Sequence, residues 1–283
     1  MPPSMPQLRY SPQSNDELLY HYCSAETLLA VLSHGTLRLC DLATMNDSME
    51  LSWGAKLLGE ILARDEILRL VRTEGTIDEF LASAGSKFKV LASCFSMRKD
   101  QLSQWRAYAN NGAGFCIGFS AASIRALRGT MMRVCYDVEA QRKMLESAFE
   151  QSLVSSAKPD GLDANSVRWA IMDLLLDVAG MKNPAFSEES EVRLCNPIMV
   201  DDAAPMPKLS YPSQLLEPPD LKFLMRGTNP TPYSDLKLPD KLEAIREVWI
   251  GPRAEASEMQ MKVMLGTMGY TKTQVIKSAA SYR

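Results

Sequence analysis

Short apolar runs bounded by polar turns occupy the two ends of the chain, and longer runs with helical spacing fill its middle. Leu18-Leu19-Tyr20-His21-Tyr22-Cys23 reads as a strand. Ser24 follows as a helix cap before Ala25 to Leu32, and Gly35 stands as the stop. Thr36 to Cys40 alternates like a second strand, and Asp41 to Asp47 is a polar turn. From Trp53 to about Arg72 the apolar positions keep helical spacing with a break near Arg64-Asp65. Phe88 to Ser96 is the most strand-like segment, and Phe115–Phe119 and Arg133–Tyr136 follow, the three together predicting the sheet centre.

Val138 to Ser156 and Ala164 to Met181 carry long helical patterns, which predicts a helical insertion over about 138–182 between sheet strands. Beyond it, Glu189-Ser190-Glu191-Val192-Arg193-Leu194 alternates as a strand with one face in a cleft does. Pro197 to Pro219 reads as a long surface loop; Phe223–Met225, Glu247–Ile250 and Gln274–Ile276 supply later strands, with a helix across Ala254–Met268. The pattern predicts a flexible arm over 1–16, where four prolines and several polar residues bury too little to offset ordering, then one α+β domain over 17–283.

Composition narrows the function classes. With 31 Lys and Arg against 34 Asp and Glu the net charge is −3, so no domain-wide basic field exists to hold a nucleic acid backbone, although a local groove stays open. The six cysteines stand singly without a C-x-x-C pair and read as core fillers in a reducing compartment. Neither an apolar leader nor an eighteen-residue apolar stretch occurs, which predicts a cytoplasmic protein without membrane partners. Two histidines, His21 and His34, give no metal-binding set, so no metal is expected. Gly112-x-Gly114-x-x-x-Gly118 is too long by one for a dinucleotide fingerprint and precedes a strand instead of a helix. No phosphate-cradling G-x-x-x-x-G-K-[ST] loop and no G-x-S-x-G elbow occur, which leaves a serine hydrolase using Ser24 or Ser96 with His21 as a weak option.

Several ordered segments resemble a bacterial family of uncharacterised proteins, DUF2971. They are Leu19-Tyr20-His21-Tyr22 with Ser24, Leu37 through Asn46-Asp47-x-x-Glu50, Ser93-Cys94-Phe95-Ser96, Asp100-x-x-Ser103-Gln104-Trp105-Arg106-x-Tyr108 on to Gly118-Phe119, Tyr136, Phe186-x-x-Glu189-x-Glu191-x-Arg193, Pro232-Tyr233 and Ile250-Gly251-Pro252. Where that family commonly has Trp between the Glu and the Arg, this chain has Val192. The motif order also resembles the ADP-ribosyltransferase superfamily, in which an early His or Arg strand, an aromatic-plus-Ser strand and a late Glu line a split sheet around NAD; His21, Phe95-Ser96 and Glu191 occur in that order. This second resemblance implies a split mixed or antiparallel sheet, NAD as substrate and a macromolecular acceptor, protein or nucleic acid. A toxin or defence effector with a neutralising partner is a setting compatible with it.

The chemistry asks for such residues. Cleaving the nicotinamide–ribose bond passes through an oxocarbenium-like state, which a carboxylate near the ribose stabilises. Glu191 is the candidate for that role, and Glu189, two residues away on the expected strand, for orienting or deprotonating the acceptor. His21 is placed for a ribose hydroxyl, Ser96 for bracing Glu191, and Tyr22 or Tyr108 for stacking on a ring; Ser24, Phe95 and Arg106 complete the candidate NAD contacts. Other readings stay open. Glu-x-Glu-x-Arg describes a solvated face with ion pairs equally well, His21 a hydrogen-bonded strand-end histidine, and Gln104-Trp105-Arg106 a packing knot. Rival functions are NAD glycohydrolysis, with water as acceptor, and nucleotide sensing without turnover.

Overall fold

The computed structural model describes residues 8–45, 50–64, 88–156, 171, 174–201, 206–210 and 220–281. Asn46-Asp47, the expected helical residues 65–72, residues 164–170 and residues 1–7 of the expected arm lie outside the described residues. The first strand and helix follow their local signals. β1 (Leu18–Cys23) leads into α1 (Ala25–His34), whose cap Ser24 accepts from the Thr27 amide, and Gly35 closes the helix at φ 59°, a left-handed value that favours glycine. β2 (Thr36–Asp41) and α2 (Glu50–Arg64) come next. β3 (Phe88–Ser96), α3 (Leu102–Tyr108), β4 (Phe115–Ser120), α4 (Ala121–Arg125) and β5 (Thr130–Arg133) complete the first half.

In the second half α5 (Val138–Ser156) and helical residues 174–178 stand between β5 and β6 (Glu191–Asp201). Their apolar faces pack on α2 through Leu57, Leu58 and Ile61 against Leu145, Phe149 and Leu174, which makes the insertion a helical layer with its own core. β7 (Lys208–Ser210), β8 (Leu221–Arg226), β9 (Asn229–Lys237), α6 (Lys241–Ala244), β10 (Ile245–Ile250), α7 (Glu258–Thr267) and β11 (Gln274–Lys277) follow. The fold is α+β around one mixed, largely antiparallel sheet, in the order β11-β10-β4-β1-β3-β2-β9-β8, with β6, β5 and β7 branching from β3. Only β10 and β11 run parallel among these named pairs.

β3 is the hub. Along one edge it pairs with β6 over its whole length, from Phe88↔Met199 to Ser96↔Glu191. Its other edge is divided: Leu91 and Ala92 pair with β2, and Ser96 pairs with Tyr20 of β1. Between those points β1 and β2 diverge, and the backbone of Ser93, Cys94 and Phe95 faces a gap. β4 stays paired with β1 throughout, so the divergence opens on one side of β1 alone.

Several sequence expectations shift. β5 lies at Thr130–Arg133, three residues before the expected Arg133–Tyr136, and it pairs with β6 outside the sheet centre. The expected loop from Pro197 contains the end of β6 and all of β7, and β9 was not expected because it holds Pro230 and Pro232. Each proline falls where its strand has an open edge. Pro197 lies between the last β5 partner at Cys195 and the first β7 partner at Met199, and Pro230 and Pro232 precede the pairing of β9 with β2 that begins at Tyr233. Leu8 to Tyr10, inside the expected arm, is ordered: Arg9 bridges Met132, and Tyr10 is buried with its amide on the Met131 carbonyl.

Trp105 anchors α3. It is 0% exposed, packs edge-to-face on Tyr22 at 5.0 Å and donates through Nε1 to Asp100 at 2.9 Å, the carboxylate that also receives the Ala279 amide near the end of the chain. A Cβ on Gly114 would collide with the Cys23 carbonyl and the Ala109 backbone, so α3 and β4 close on β1 only with glycine there. Trp105→Ala is expected to cost about 3–5 kcal/mol. Urea unfolding reads this directly, and an unchanged midpoint would remove Trp105 from the core.

Candidate functional site

The gap between β1 and β2 is a cavity of about 500 Å³, a size suited to a small-molecule ligand. Its walls bring together His21, Phe95, Ser96, Tyr108, Glu189 and Glu191, with Tyr22 and Ser24 beside them. Residues separated by 75 and 95 positions, His21 to Ser96 and Ser96 to Glu191, therefore line one space. Arg106 is the candidate that does not join them. Helical spacing puts Gln104 and Tyr108 on the cavity side of α3, and Arg106, two residues on from Gln104, faces solvent.

His21 meets the gap where β3 lacks a strand partner. The Cys94 carbonyl accepts from His21 Nδ1 at 2.9 Å, which satisfies a backbone acceptor left over by the split and leaves Nε2 as the unprotonated nitrogen. Burial pushes the His21 pKa down, so the ring is neutral at physiological pH. Phe95, 2% exposed, sits beneath it at 5.9 Å and belongs to the core as much as to the wall. Tyr22 is a brace: its hydroxyl donates to the Arg98 carbonyl at 3.1 Å and accepts from the Gln101 amide at 3.0 Å. Ser24 caps α1 at the rim.

The carboxylate end differs from expectation in detail. Glu189 is not on the strand; it ends a 3-10 turn, Pro184–Glu189, and Ser190 at φ 47° turns the chain into β6 at Glu191. The left-handed residue replaces the strand alternation and still leaves both carboxylates on one cation. Lys182, 2% exposed, donates to Glu189 Oε2 at 2.6 Å and reaches Glu191 Oε2 at 3.4 Å. Tyr108 donates to Glu189 Oε1 at 2.8 Å. Ser96 does not brace the Glu191 carboxylate; its hydroxyl donates to the Glu189 carbonyl at 2.7 Å and thereby holds the turn.

Arg193 grips Glu191 by a two-point fork, Nε to Oε1 and Nη2 to Oε2, both at 2.8 Å. Burial alone raises the Glu191 pKa, but the Arg193 charge and hydrogen bonds, with Lys182 behind them, outweigh it and bring the value down to about 2. Glu191 is thus anionic at neutral pH. Two carboxylates, one ammonium and one guanidinium sum to zero, so a ligand meets a fixed carboxylate edge and not a broad negative field. Sequence reasoning missed Lys182, whose only signal is a lone cation directly after Ala179-Gly180-Met181. It also missed Arg38 and Arg226, which line the cavity from β2 and β8. Among the described residues no group of three or more His, Cys, Asp or Glu could hold a metal ion, and no helix is long and apolar enough to cross a membrane.

The ion cluster changes what a Glu191 variant reports. Glu191→Gln strands a guanidinium that is 0% exposed, and a loss of about 3–5 kcal/mol is expected at neutral pH. The folded pKa lies below the unfolded one, so this stabilisation is full above about 4.5 and is lost as pH falls towards about 2. Denaturant midpoints of wild type and Glu191→Gln should therefore converge as pH is lowered below 4.5. A constant gap across that range would show that the carboxylate charge is not what holds Arg193.

No curated protein and no solved structure matches the chain. The family match is narrower than the ordered blocks quoted above, which begin at Leu19, but it contains Tyr108, Lys182, Glu189 and Glu191 of the cavity. Residues 104–194 match the family described as "Protein of unknown function (DUF2971)".

Proposed function

We propose that the cavity binds NAD and that the chain is an ADP-ribosyltransferase-like enzyme, cleaving the nicotinamide–ribose bond and passing ADP-ribose to a macromolecular acceptor. The observation that carries this reading is the convergence of His21, Ser96 and Glu191 on one cavity at the sheet split. Nicotinamide leaves as a neutral base with the electron pair of the broken bond, and positive charge develops on the ribose. An anionic Glu191 at that point stabilises the charge and accepts from a ribose hydroxyl. Neutral His21 offers Nε2 to a second hydroxyl. The acceptor nucleophile then bonds to the anomeric carbon and gives up its proton to Glu189, which Tyr108 and Lys182 position.

Glu191, His21 and Glu189 all have buried partners, so each variant is assayed with its melting temperature measured alongside. His21→Ala should lower nicotinamide release about a hundredfold, the scale of one lost transition-state contact, and should cost about 1–3 kcal/mol of stability for the Cys94 carbonyl it leaves unpaired, so turnover is compared well below its melting temperature. Glu189→Gln should depress transfer to the acceptor more than hydrolysis of NAD, because bond breaking at the ribose uses Glu191. NAD labelled in its adenylate part separates the routes: label kept on a macromolecule reports transfer, and free ADP-ribose reports hydrolysis. No calorimetric heat with NAD at millimolar concentration, or wild-type turnover by His21→Ala, would overturn the reading.

A further inference from the structure

The α3 side of the cavity carries a group that neither the fold nor the ion cluster uses. Gln104 is 6% exposed and lines the cavity. Among the described residues its side-chain amide makes no hydrogen bond, and neither its oxygen nor its nitrogen is sealed in protein, so the little surface it keeps opens on the cavity. A primary amide buried to this degree without partners is destabilising in the empty protein, which points to a ligand group that completes it.

Topology places this amide at the carboxylate end. Tyr20 pairs with Ser96 and Ser96 with Glu191, so the three side chains share one face of the sheet. Tyr22, two residues on from Tyr20, lies on that face, and Trp105 packs on it at 5.0 Å, so α3 covers the face that carries Glu191. The helix is fastened to the turn before Glu191 on either side of Gln104. Gln101, three residues earlier, donates through Nε2 to the Glu188 carbonyl at 3.1 Å, and Tyr108, four residues later, donates to Glu189 Oε1 at 2.8 Å. Residues at these spacings are neighbours on a helix face, about 5–6 Å apart at Cβ, so Gln104 stands between the two fastenings.

Gln104 carries no charge and presents a donor and an acceptor side by side, the complement of another primary amide or of the N6–N7 edge of adenine. Position separates the two. Nicotinamide holds its carboxamide one ring-width from the ribose bond assigned to Glu191, whereas adenine lies beyond the diphosphate. We propose that Gln104 is the specificity residue for the leaving base, pairing its amide with the nicotinamide carboxamide through two hydrogen bonds. The inference rests on the NAD reading of the cavity and adds how the base is told apart from its acid analogue: a carboxylate in the same place offers two acceptors and no donor, and leaves the Gln104 carbonyl facing a negative charge. The base leaves neutral, so Gln104 moves no proton; it fixes the ring while the bond at the anomeric carbon breaks.

Calorimetry with NAD, its nicotinic acid analogue and ADP-ribose tests this on wild type and Gln104→Met, since methionine matches glutamine in length and helix preference. Wild type should prefer NAD to the acid analogue about tenfold or more. Gln104→Met should lose that preference, bind NAD about tenfold more weakly and bind ADP-ribose, which lacks the base, as wild type does. Its melting temperature should stay level or rise, the opposite of what a structural amide does. No preference in wild type, a preference that survives the substitution, or a lower melting temperature with unchanged NAD affinity would overturn the inference. Equal weakening of NAD and ADP-ribose would also overturn it, by placing Gln104 at the adenosine part. A Gln104-dependent preference for NAD without any cleavage would uphold the contact and remove the transferase reading; NAD cleavage with unchanged KM and unchanged preference in Gln104→Met would do the reverse.

Discussion

One edge of β3 serves two strands, and that constraint organises the molecule. A strand edge has one row of donors and acceptors; β2 takes it at Leu91 and Ala92, and β1 takes it at Ser96. Between them this edge of β3 has no strand partner. His21 answers one of its carbonyls with a side chain, and the remaining space is the cavity. Pairing with β6 on the opposite edge runs unbroken past the split. The site is a consequence of the topology before it is a consequence of any particular functional residue.

The buried ions follow from the same arrangement. β6 carries Glu191 and Arg193 on one side of β3, and the helical insertion returns Lys182 and Glu189 to the same place. Each charge inside this cluster is matched, as burial demands, because an unpaired ion there would carry the full desolvation penalty. At the far end of the cavity Asp235 holds Arg38, and Arg226 donates to the Thr44 carbonyl.

The insertion has a double role. Its helices pack with α2 on a core separate from that of the central sheet, yet the segment leaving them supplies Lys182 and the turn that presents Glu189. Stability of the helical layer and geometry of the carboxylate end are thereby coupled through residues 179–191, where the Ala179 carbonyl also accepts from Arg193 at 2.7 Å.

How much was legible in the sequence depended on whether the cause was local. β1, the Ser24 cap, α1 and the Gly35 stop were readable because periodicity, a capping hydroxyl and a left-handed glycine act within a few residues. His21, Ser96 and Glu191 were legible as candidates through motif order. Strands with prolines were not, because Pro197, Pro230 and Pro232 are tolerated only where a neighbouring edge is open, and which edges are open is set by partners far along the chain. Glu189 reached its place by a left-handed turn at Ser190 that no alternation pattern signals, and Arg106 missed the cavity by its helical phase against Tyr108. Tertiary structure alone decided that Lys182 bridges the two carboxylates and that Arg193 holds Glu191 ionised, because charge compensation and burial are properties of assembled neighbours and not of the residues themselves.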